Sequence, residues 1–391
     1  MGKIIYLEHA ATTPVDERVV RKMEPYFTEL FANPATKWTS SISKKVNEAI
    51  EEARKNVASL INASPEEIIF TSGGTESDNT ALKGIAFANK DKGNEIITTP
   101  IEHNAVLKSA ERLHELGFVV KYASVDSKGF VDPDEIRKLI TEKTLLVSVM
   151  HANNEIGTIE PIEEIGKICK EKGVYFHTDT VQTAAHIPIN VEKMNIDLLS
   201  ISSHKFYGPK GVGALYVRNG TKIIPYMDGG GHESGFRSGT LNTTGIIGLG
   251  EASRIGKEEQ GKRESYIKEL RDTLIQKVME EIPAVYLNGP GDNKRLPGNV
   301  SLIIQGIINE PLLVALNERG IIAGGGSACS AGKKKPSHVL TSIGVAAGDL
   351  SSVIRMTLGK DNKKEDIDFI VESIKEITKG LRNLSPFWEE K

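Results

Sequence analysis

The residue with the clearest chemical use in this chain is Lys205, in the stretch Ser202-Ser203-His204-Lys205-Phe206-Tyr207-Gly208-Pro209. It stands between the end of a predicted strand and a turn rich in glycine and proline. A lysine in a loop is ordinarily a solvated cation. At the carboxyl edge of a sheet, however, the same amine can form a Schiff base with an aldehyde cofactor. The choice between these interpretations depends on what the rest of the chain brings to that edge.

A glycine turn, Gly73-Gly74-Thr75, lies between a predicted strand and a predicted helix. Glycines let the backbone approach an anion closely, and the N–H groups and dipole at a helix start favour a phosphate. The same pattern is equally typical of a simple capped helix. Taken together with Lys205, it predicts a cradle for a cofactor phosphate. Thr75, Ser202 and His204 would add hydrogen-bond donors to this cradle.

Polar side chains also follow other predicted strands. Asp179 could cap the next helix, or it could keep the pyridine nitrogen of a cofactor protonated, which makes the ring a better electron sink. Gln182, one turn further on, could donate to a ring hydroxyl. His103 begins a helix, where an imidazole can stack on a ring and move protons near neutral pH. Asn154 would by itself pass for an ordinary turn asparagine.

These groups stand at the ends of different predicted strands and suit different parts of one cofactor. Lys205 suits its aldehyde, the glycine turn its phosphate, and Asp179 its ring nitrogen. Such a convergence is less expected by chance than any single motif. We therefore predict that the chain binds pyridoxal 5'-phosphate (PLP).

The elements that must position these groups alternate along the first two thirds of the chain. Strand-like apolar runs cover residues 67–71, 95–99, 119–122, 145–149, 174–177 and 198–201, and helical patterns cover 76–89, 105–116, 133–140 and 162–172. This alternation predicts an α/β fold with a mainly parallel sheet and helices on both faces. In such sheets, ligands collect at the carboxyl ends of the strands.

The character of the sequence changes near Gly261. A long amphipathic helix is predicted over residues 263–282, and shorter helices and strands follow it. We therefore predict a large cofactor-binding domain over residues 15–260 and a smaller α+β domain over 261–391. The N-terminal segment, residues 1–14, is expected to join the smaller domain.

The composition excludes several classes of function. The chain has 391 residues, of which 26% are charged, and its formal net charge is -3, so no strong field would recruit nucleic acid or an anionic membrane. It has neither an apolar run long enough to span a bilayer nor a signal-peptide pattern. We expect a cytoplasmic protein without nucleic-acid or membrane partners.

The chain has two cysteines, too few for a disulfide framework. Cys169 lies in a helical pattern and is expected to be a small core residue. Cys329 lies in a segment of glycine and other small residues, where a reactive thiol and an incidental turn residue are equally compatible with the local sequence. The basic run Lys333 to Lys335 follows it and would ordinarily be a solvated loop tip.

From residues 6–14 to residues 355–359, the sequence resembles the group I cysteine desulfurases of the NifS/IscS type. These are PLP-dependent enzymes of the class V aminotransferase family. The most specific pieces are His204-Lys205, Asn153-Asn154-Glu155-Ile156-Gly157, Arg237-Ser238-Gly239-Thr240 and Ser327-Ala328-Cys329-Ser330. The resemblance implies the PLP-dependent transferase fold of type I, with a mainly parallel seven-stranded sheet in the large domain and a smaller α+β domain.

The resemblance also implies roles for single residues. Lys205 would carry PLP and move the α-proton of the substrate, with His103 as a second catalytic group. Cys329 would be the nucleophile that accepts sulfur, and it could also ligate a nascent cluster, although no resident metal is implied. Arg355 and Asn33 would hold the substrate carboxylate, a task suited to a planar cation. Thr240 would reach the cofactor phosphate of a neighbouring subunit, which implies a homodimer.

The implied reaction converts L-cysteine to L-alanine and leaves a persulfide on Cys329. The sulfur would pass to an acceptor protein, such as an iron–sulfur scaffold. Selenocysteine lyase activity is the closest alternative, because selenium can follow the same route. Another class V aminotransferase or lyase would use Lys205 and Asp179 but would need no thiol. A non-catalytic assembly platform is the remaining alternative, and the retention of both Lys205 and Cys329 argues against it.

The sequence departs from the family pattern at a few positions. Glu8 replaces the usual aspartate, and Ala32 and Trp38 flank the retained Asn33 with unusual residues. The run Lys333 to Lys335 is more basic than expected after the cysteine. We expect these changes to affect the substrate-side loop or the choice of acceptor rather than the core reaction.

Overall fold

The structure is a computed structural model that describes residues 3–325, 336–385 and 388. Cys329 and the run Lys333 to Lys335 lie outside the described residues. The strands are β1 (Ile5–Tyr6), β2 (Ile68–Thr71), β3 (Glu95–Thr98), β4 (Val119–Tyr122), β5 (Thr144–Ser148), β6 (Tyr175–Asp179), β7 (Leu198–Ser202), β8 (Gly213–Val217), β9 (Val285–Leu287), β10 (Asn299–Ile304), β11 (Ile321–Ile322), β12 (Gly324–Gly325) and β13 (Val353–Thr357). The helices are α1 (Glu17–Met23), α2 (Pro25–Thr28), α3 (Ser41–Ile61), α4 (Gly74–Ala88), α5 (Asn104–Glu115), α6 (Pro133–Leu139), α7 (Ile162–Lys172), α8 (Thr243–Glu281), α9 (Asn309–Glu318), α10 (His338–Ser342) and α11 (Lys364–Asn383).

The largest sheet has seven strands in the order β2-β8-β7-β6-β5-β3-β4. Strands β7, β6, β5, β3 and β4 are parallel, whereas β8 is antiparallel to both of its neighbours. The prediction of an α/β fold with a mainly parallel seven-stranded sheet is therefore confirmed. The apolar-run analysis did not find β8, because this short strand directly follows the glycine and proline turn after Lys205 and reads as part of it.

Both faces of this sheet are covered by apolar packing, which explains why its strands are almost continuously hydrophobic. On one face, Phe176 and Val147 pack against α3, α7 and α8. On the other, Leu146 and Leu198 pack against α4 and α5. Because successive side chains of a strand point to opposite faces, adjacent residues such as Leu146 and Val147 belong to different cores.

A second sheet, in the order β12-β13-β10-β9, is antiparallel. The first strand of the chain, β1, pairs in parallel with β11, where Ile5 lies opposite Ile321. Ile5 and Leu7 are buried in the core formed by this second sheet, α11 and the latter half of α8. The domain limits at residues 14 and 260 remain a prediction.

The long helix α8 has 39 residues and begins 20 residues before the predicted helix start at 263. Several glycines made its first half resemble a loop in the sequence. The structure gives these glycines a packing reason, because a Cβ on Gly250 would lie 2.4 Å from the Cα of Ala53 on α3. The helix therefore needs glycine where the two backbones approach closely.

Candidate functional site

A cavity of about 270 Å³ opens at the carboxyl ends of β5, β6 and β7, where an α/β sheet is expected to bind its ligand. It lies under the N-terminus of α4 and is closed on another side by β13 of the second sheet. Ten of the residues singled out from the sequence line it: Gly74, Thr75, His103, Asn154, Asp179, Gln182, Ser202, His204, Lys205 and Arg355. Residues from six separate parts of the chain thus meet at one place, as the strand-end pattern predicted.

Lys205 ends a single 3-10 turn that follows β7. Its Nζ donates to the carbonyl oxygens of Ala10 and Ala11, at 2.6 and 2.8 Å. Burial, and then the charge of the nearby Arg355, lower the pKa of Lys205 to about 8, although Asp179 acts in the opposite direction. A substantial fraction of this amine is therefore uncharged at mildly alkaline pH, the form that attacks a carbonyl carbon.

Asp179 is the last residue of β6 and is almost fully buried. Its Oδ1 accepts a hydrogen bond from the N–H of Val181 at 2.8 Å. The segment that follows β6 forms turns and not a helix, so the prediction that Asp179 caps a helix is wrong, and its carboxylate closes a turn instead. The same side chain lines the cavity. Burial raises the pKa of Asp179, and His103, the Val181 N–H and Lys205 oppose that rise because they favour the anion.

His103 caps the N-terminus of α5, and its Nδ1 accepts from the N–H of Ala105 at 3.2 Å. Burial lowers the pKa of His103 and favours the neutral ring. A neutral ring that accepts through Nδ1 carries its proton on Nε2. The histidine can therefore offer a defined proton to a group in the cavity.

The glycine turn before α4 is shaped by close backbone packing. Gly73 has φ +149°, and a Cβ added to Gly74 would lie 2.6 Å from a methyl group of Val181. The first N–H groups of a helix have no partner within the helix, so this start can hold an anion. His204 stands beside it, with Nδ1 3.0 Å from the Oγ1 of Thr12. Burial lowers the pKa of His204 to about 4, which leaves it a neutral hydrogen-bonding group.

Arg355 lies on β13, with 9% of its surface exposed, and its Nε has no hydrogen-bond partner within the part of the chain that the structure describes. One of its terminal nitrogens donates to the backbone oxygen of Asn154 at a long 3.4 Å. A buried guanidinium with an unpaired donor is costly, and a carboxylate can satisfy it with two parallel hydrogen bonds. The cavity therefore contains a guanidinium that could bind a carboxylate, near enough to Lys205 for its charge to lower the pKa of that amine.

Two predicted residues do not line the cavity in the single chain. Asn33 is exposed, and its side chain accepts from the N–H of Ala35 at 2.9 Å, which caps the short turn Pro34–Thr36. Thr240 is also exposed. The predicted roles of both residues, like that of Cys329, remain predictions.

The structure brings further residues to the site that the sequence analysis did not assign. Asn153 is fully buried and shapes the turn before Asn154, because its Oδ1 accepts from the N–H groups of Glu155 and Ile156. The carbonyl of Ala10 accepts from both Lys205 and Gln182. The role of Asn153 could not be predicted from sequence, because only the folded turn shows which N–H groups its side chain accepts from.

The donor set fits PLP. An amine of lowered pKa, a helix start, a buried carboxyl group and an imidazole all face one cavity, and each matches one part of that molecule. The described residues include no group of histidine, cysteine and carboxylate side chains that could hold a metal ion. Within the same described part of the chain, no helix is long and apolar enough to cross a membrane.

Comparisons with known proteins extend over nearly the whole chain. A family model described as Aminotransferase class-V matches residues 5–370. The protein named cysteine desulfurase IscS from Clostridium botulinum is 50% identical over 391 residues, covering 100% of this chain and 98% of that protein. Among solved structures, a NifS-like protein is 38% identical with a TM-score of 0.91, covering 97% of this chain and 100% of that chain. A structure titled SspA in complex with cysteine is 35% identical with a TM-score of 0.81, covering 91% of this chain and 99% of that chain.

Proposed function

Because the chain belongs to the class-V aminotransferase family, among its IscS-type cysteine desulfurases, we propose that it converts L-cysteine to L-alanine and transfers the sulfur to Cys329. One observation carries this proposal most directly: Lys205, an amine of lowered pKa, shares a cavity with Arg355, whose Nε is buried without a hydrogen-bond partner among the described residues. Lys205 can hold an aldehyde cofactor that takes up the amine of an amino acid, and Arg355 can bind the carboxylate.

The cofactor of this reaction is proposed to be PLP, held by the glycine turn, Ser202 and His204 at its phosphate and by Asp179 at its ring nitrogen. When bound, PLP supplies an aldehyde that takes up the substrate amine and a ring that accepts electrons from the α-carbon. Asp179 would keep a proton on the ring nitrogen, because a buried carboxylate is stabilised by an adjacent cation. Gln182 and Asn154 would orient the ring.

The remaining side chains would act on the substrate. Arg355 would bind its carboxylate and orient the α-C–H bond toward Lys205. Lys205 Nζ would take the α-proton, since its pKa of about 8 lies near the working pH of a general base. His103 would donate or take a second proton through Nε2 on the other side of the cavity.

Cys329 would then attack the substrate sulfur as a thiolate, leaving a persulfide on Cys329 and, after protonation, alanine. The described chain reaches Gly325, whose strand β12 pairs with β13, and Gly324 lies opposite Arg355 there. The sequence therefore approaches Cys329 from a point beside the proposed carboxylate site. The other cysteine, Cys169, is fully buried, and burial raises the pKa of its thiol. It is not a candidate for the nucleophile.

A homodimer with shared sites is part of this proposal. Large apolar side chains lie exposed on a short stretch of the chain, with Phe31 at 72% and Trp38 at 88% exposure. Exposed apolar surface of this kind marks interaction sites. Thr240, exposed and outside the cavity of its own chain, would reach the phosphate in the partner. A sulfur-acceptor protein such as an iron–sulfur scaffold, and a cytoplasmic location, complete the proposal.

The test is an anaerobic incubation of the purified protein with L-cysteine, PLP and a reductant, with sulfide and alanine quantified together. We expect sulfide and alanine in equal amounts from the wild type, and the same result from C169A. In C329S, neither product should rise above background. Sulfide release that survives C329S would overturn the persulfide route. Alanine without sulfide would point to a different PLP reaction.

A further inference from the structure

A second buried carboxyl group, Asp78, lies beside Asp179 and has no role in the reaction proposed above. It is on α4, one turn after the glycine turn, and it lines the same cavity. Only 1% of its surface is exposed, and its Oδ1 has no hydrogen-bond partner in residues 3–325, 336–385 and 388. Among the described residues, its ion-pair contact is with His177, whose Nε2 lies 3.6 Å from that oxygen. This distance exceeds that of a hydrogen bond.

His177 belongs to the same group of side chains. It lies two residues before Asp179 on β6, so both side chains point to the face of the sheet that α4 covers. Its Nδ1 lies 2.8 Å from the Oγ of Ser148 on β5, and its Nε2 lies 3.0 Å from the Oγ of Ser200 on β7. Serine hydroxyls donate or accept equally well, so they satisfy a neutral ring without requiring a charge. Burial lowers the pKa of His177 to about 3.

Two carboxylates in so dry a place cannot both be ionised, because each raises the cost of charging the other. The groups that favour an anion act mainly on Asp179, because His103, the N–H of Val181 and Lys205 all lower its pKa. Asp78 is flanked by the neutral His177 and by the hydroxyl of Ser200, which favours its anion, and it faces a further buried carboxyl, Glu102. Burial, and then the charge of Asp179, raise the pKa of Asp78 well above its ordinary value.

We propose that Asp78 is a positioning residue that acts as a neutral carboxylic acid behind Asp179, so that Asp179 is the single anion available to the ring nitrogen of the cofactor. This inference rests on the proposed binding of PLP. If Asp78 were ionised, its negative charge would compete for the ring proton and repel Asp179. As a neutral acid, it completes the polar packing around His177 and Ser200 and fixes the end of β6.

Infrared spectroscopy of the PLP-bound protein tests the protonation state directly. The protein would be made with carboxyl-labelled aspartate, so that the C=O stretch of a protonated aspartic acid separates from that of buried glutamic acids. At pH 8 we expect such a band in the wild type and its loss in D78N. The matched control is D16N, because Asp16 is a buried aspartate whose ion pairs with Arg18 and Lys360 lower its pKa. The band should persist in D16N.

The visible absorption of bound PLP gives an independent measure, since its pH midpoint reports the charge around the cofactor. An amide and a neutral acid have the same charge, so the midpoint of D78N should lie within about 0.3 pH units of the wild type. An ionised Asp78 predicts instead that D78N lowers the midpoint by about one unit or more, because a stabilising negative charge is lost. D78L, which has a similar shape without polar atoms, should weaken PLP binding about fivefold or more.

Each outcome decides the matter. A wild-type protein without an aspartic-acid band at pH 8 overturns the proposal even if no variant folds, and so does a band that survives D78N. An ion pair between Asp78 and His177 would give the first of these results. Neither readout requires turnover, so a protein that binds PLP but does not desulfurate cysteine still tests Asp78.

Discussion

At the scale of single residues, some side chains that line the cavity also make a hydrogen bond to the backbone. Asp179 closes a turn with one oxygen, and His103 caps α5 with one nitrogen. Such contacts fix the orientation of the group and, for His103, the position of its proton. The sequence analysis treated capping and cofactor binding as alternatives for these residues. In the folded protein, a backbone contact positions each of the two side chains: a turn for Asp179 and a helix cap for His103.

The lowered pKa of Lys205 predicts how fast the PLP-free protein takes up its cofactor. Only the uncharged amine attacks an aldehyde, so the rate should rise with pH and reach half its maximum near pH 8. Stopped-flow absorbance of PLP added to the stripped protein measures this profile. In R355Q, the loss of a neighbouring positive charge should move the midpoint to higher pH. An unchanged midpoint would show that Arg355 does not influence the amine.

At the scale of elements, most strands of the large sheet and their mainly parallel arrangement could be predicted from sequence. Six strands of the large sheet were located to within two residues, because buried parallel strands are short and strongly apolar. The motifs carry a resemblance to cysteine desulfurases, which implied the type I fold. The comparisons confirm both the family and the fold. The first half of α8 and the roles of Asp78 and Asn153 could not be predicted, because they depend on tertiary packing.

The contact between α3 and α8 predicts opposite effects for two glycines of the same helix. In G250A, the added methyl group meets Ala53, which should lower the free energy of unfolding by about 1–3 kcal/mol. In G261A, a Cβ meets no atom within 4 Å, and the better helix propensity of alanine should add about 0.5–1 kcal/mol. Urea denaturation of both variants measures the difference. Equal stability of the two would contradict the packing described here.

The turn between β5 and α7, which carries Asn154, contains a buried carboxyl group at Glu160. Its Oε2 accepts from the N–H of Val131, its Oε1 has no partner, and burial raises its pKa to about 8. A raised native pKa stabilises the fold fully at pH below 4.5, and this contribution is lost as the pH rises through 8. Relative to E160Q, the wild type should therefore lose about 3 kcal/mol between pH 5 and pH 8. A pH-independent difference would contradict this assignment.

At the scale of the whole molecule, the site combines elements far apart in the chain. The cavity takes Lys205 from the end of β7 and Arg355 from β13 of the second sheet, and β1 at the N-terminus pairs with β11 near the C-terminus. Assembly of the site therefore requires the fold to be complete. The shared-site homodimer proposed above would extend this dependence to a second chain.

Mixing two inactive variants tests the shared site. T240A lacks the group proposed to reach the phosphate in the partner, and K205A lacks the reacting amine of its own site. A hybrid dimer would contain one intact site, so random exchange of subunits should restore about a quarter of the wild-type activity. Co-purification through a tag on one variant confirms that exchange has occurred. Exchange without recovery would contradict the shared site.

The central claim is that the sulfur of L-cysteine moves to Cys329. The most direct measurement determines whether Cys329 carries an additional sulfur. The PLP-bound protein would receive one equivalent of L-cysteine without reductant, followed by alkylation, proteolysis and peptide mass spectrometry. The account predicts one additional sulfur on the peptide that contains Cys329, none on the peptide that contains Cys169, and one alanine released per sulfur bound. Alanine formation with both cysteines unmodified, or sulfur bound elsewhere, would contradict the account.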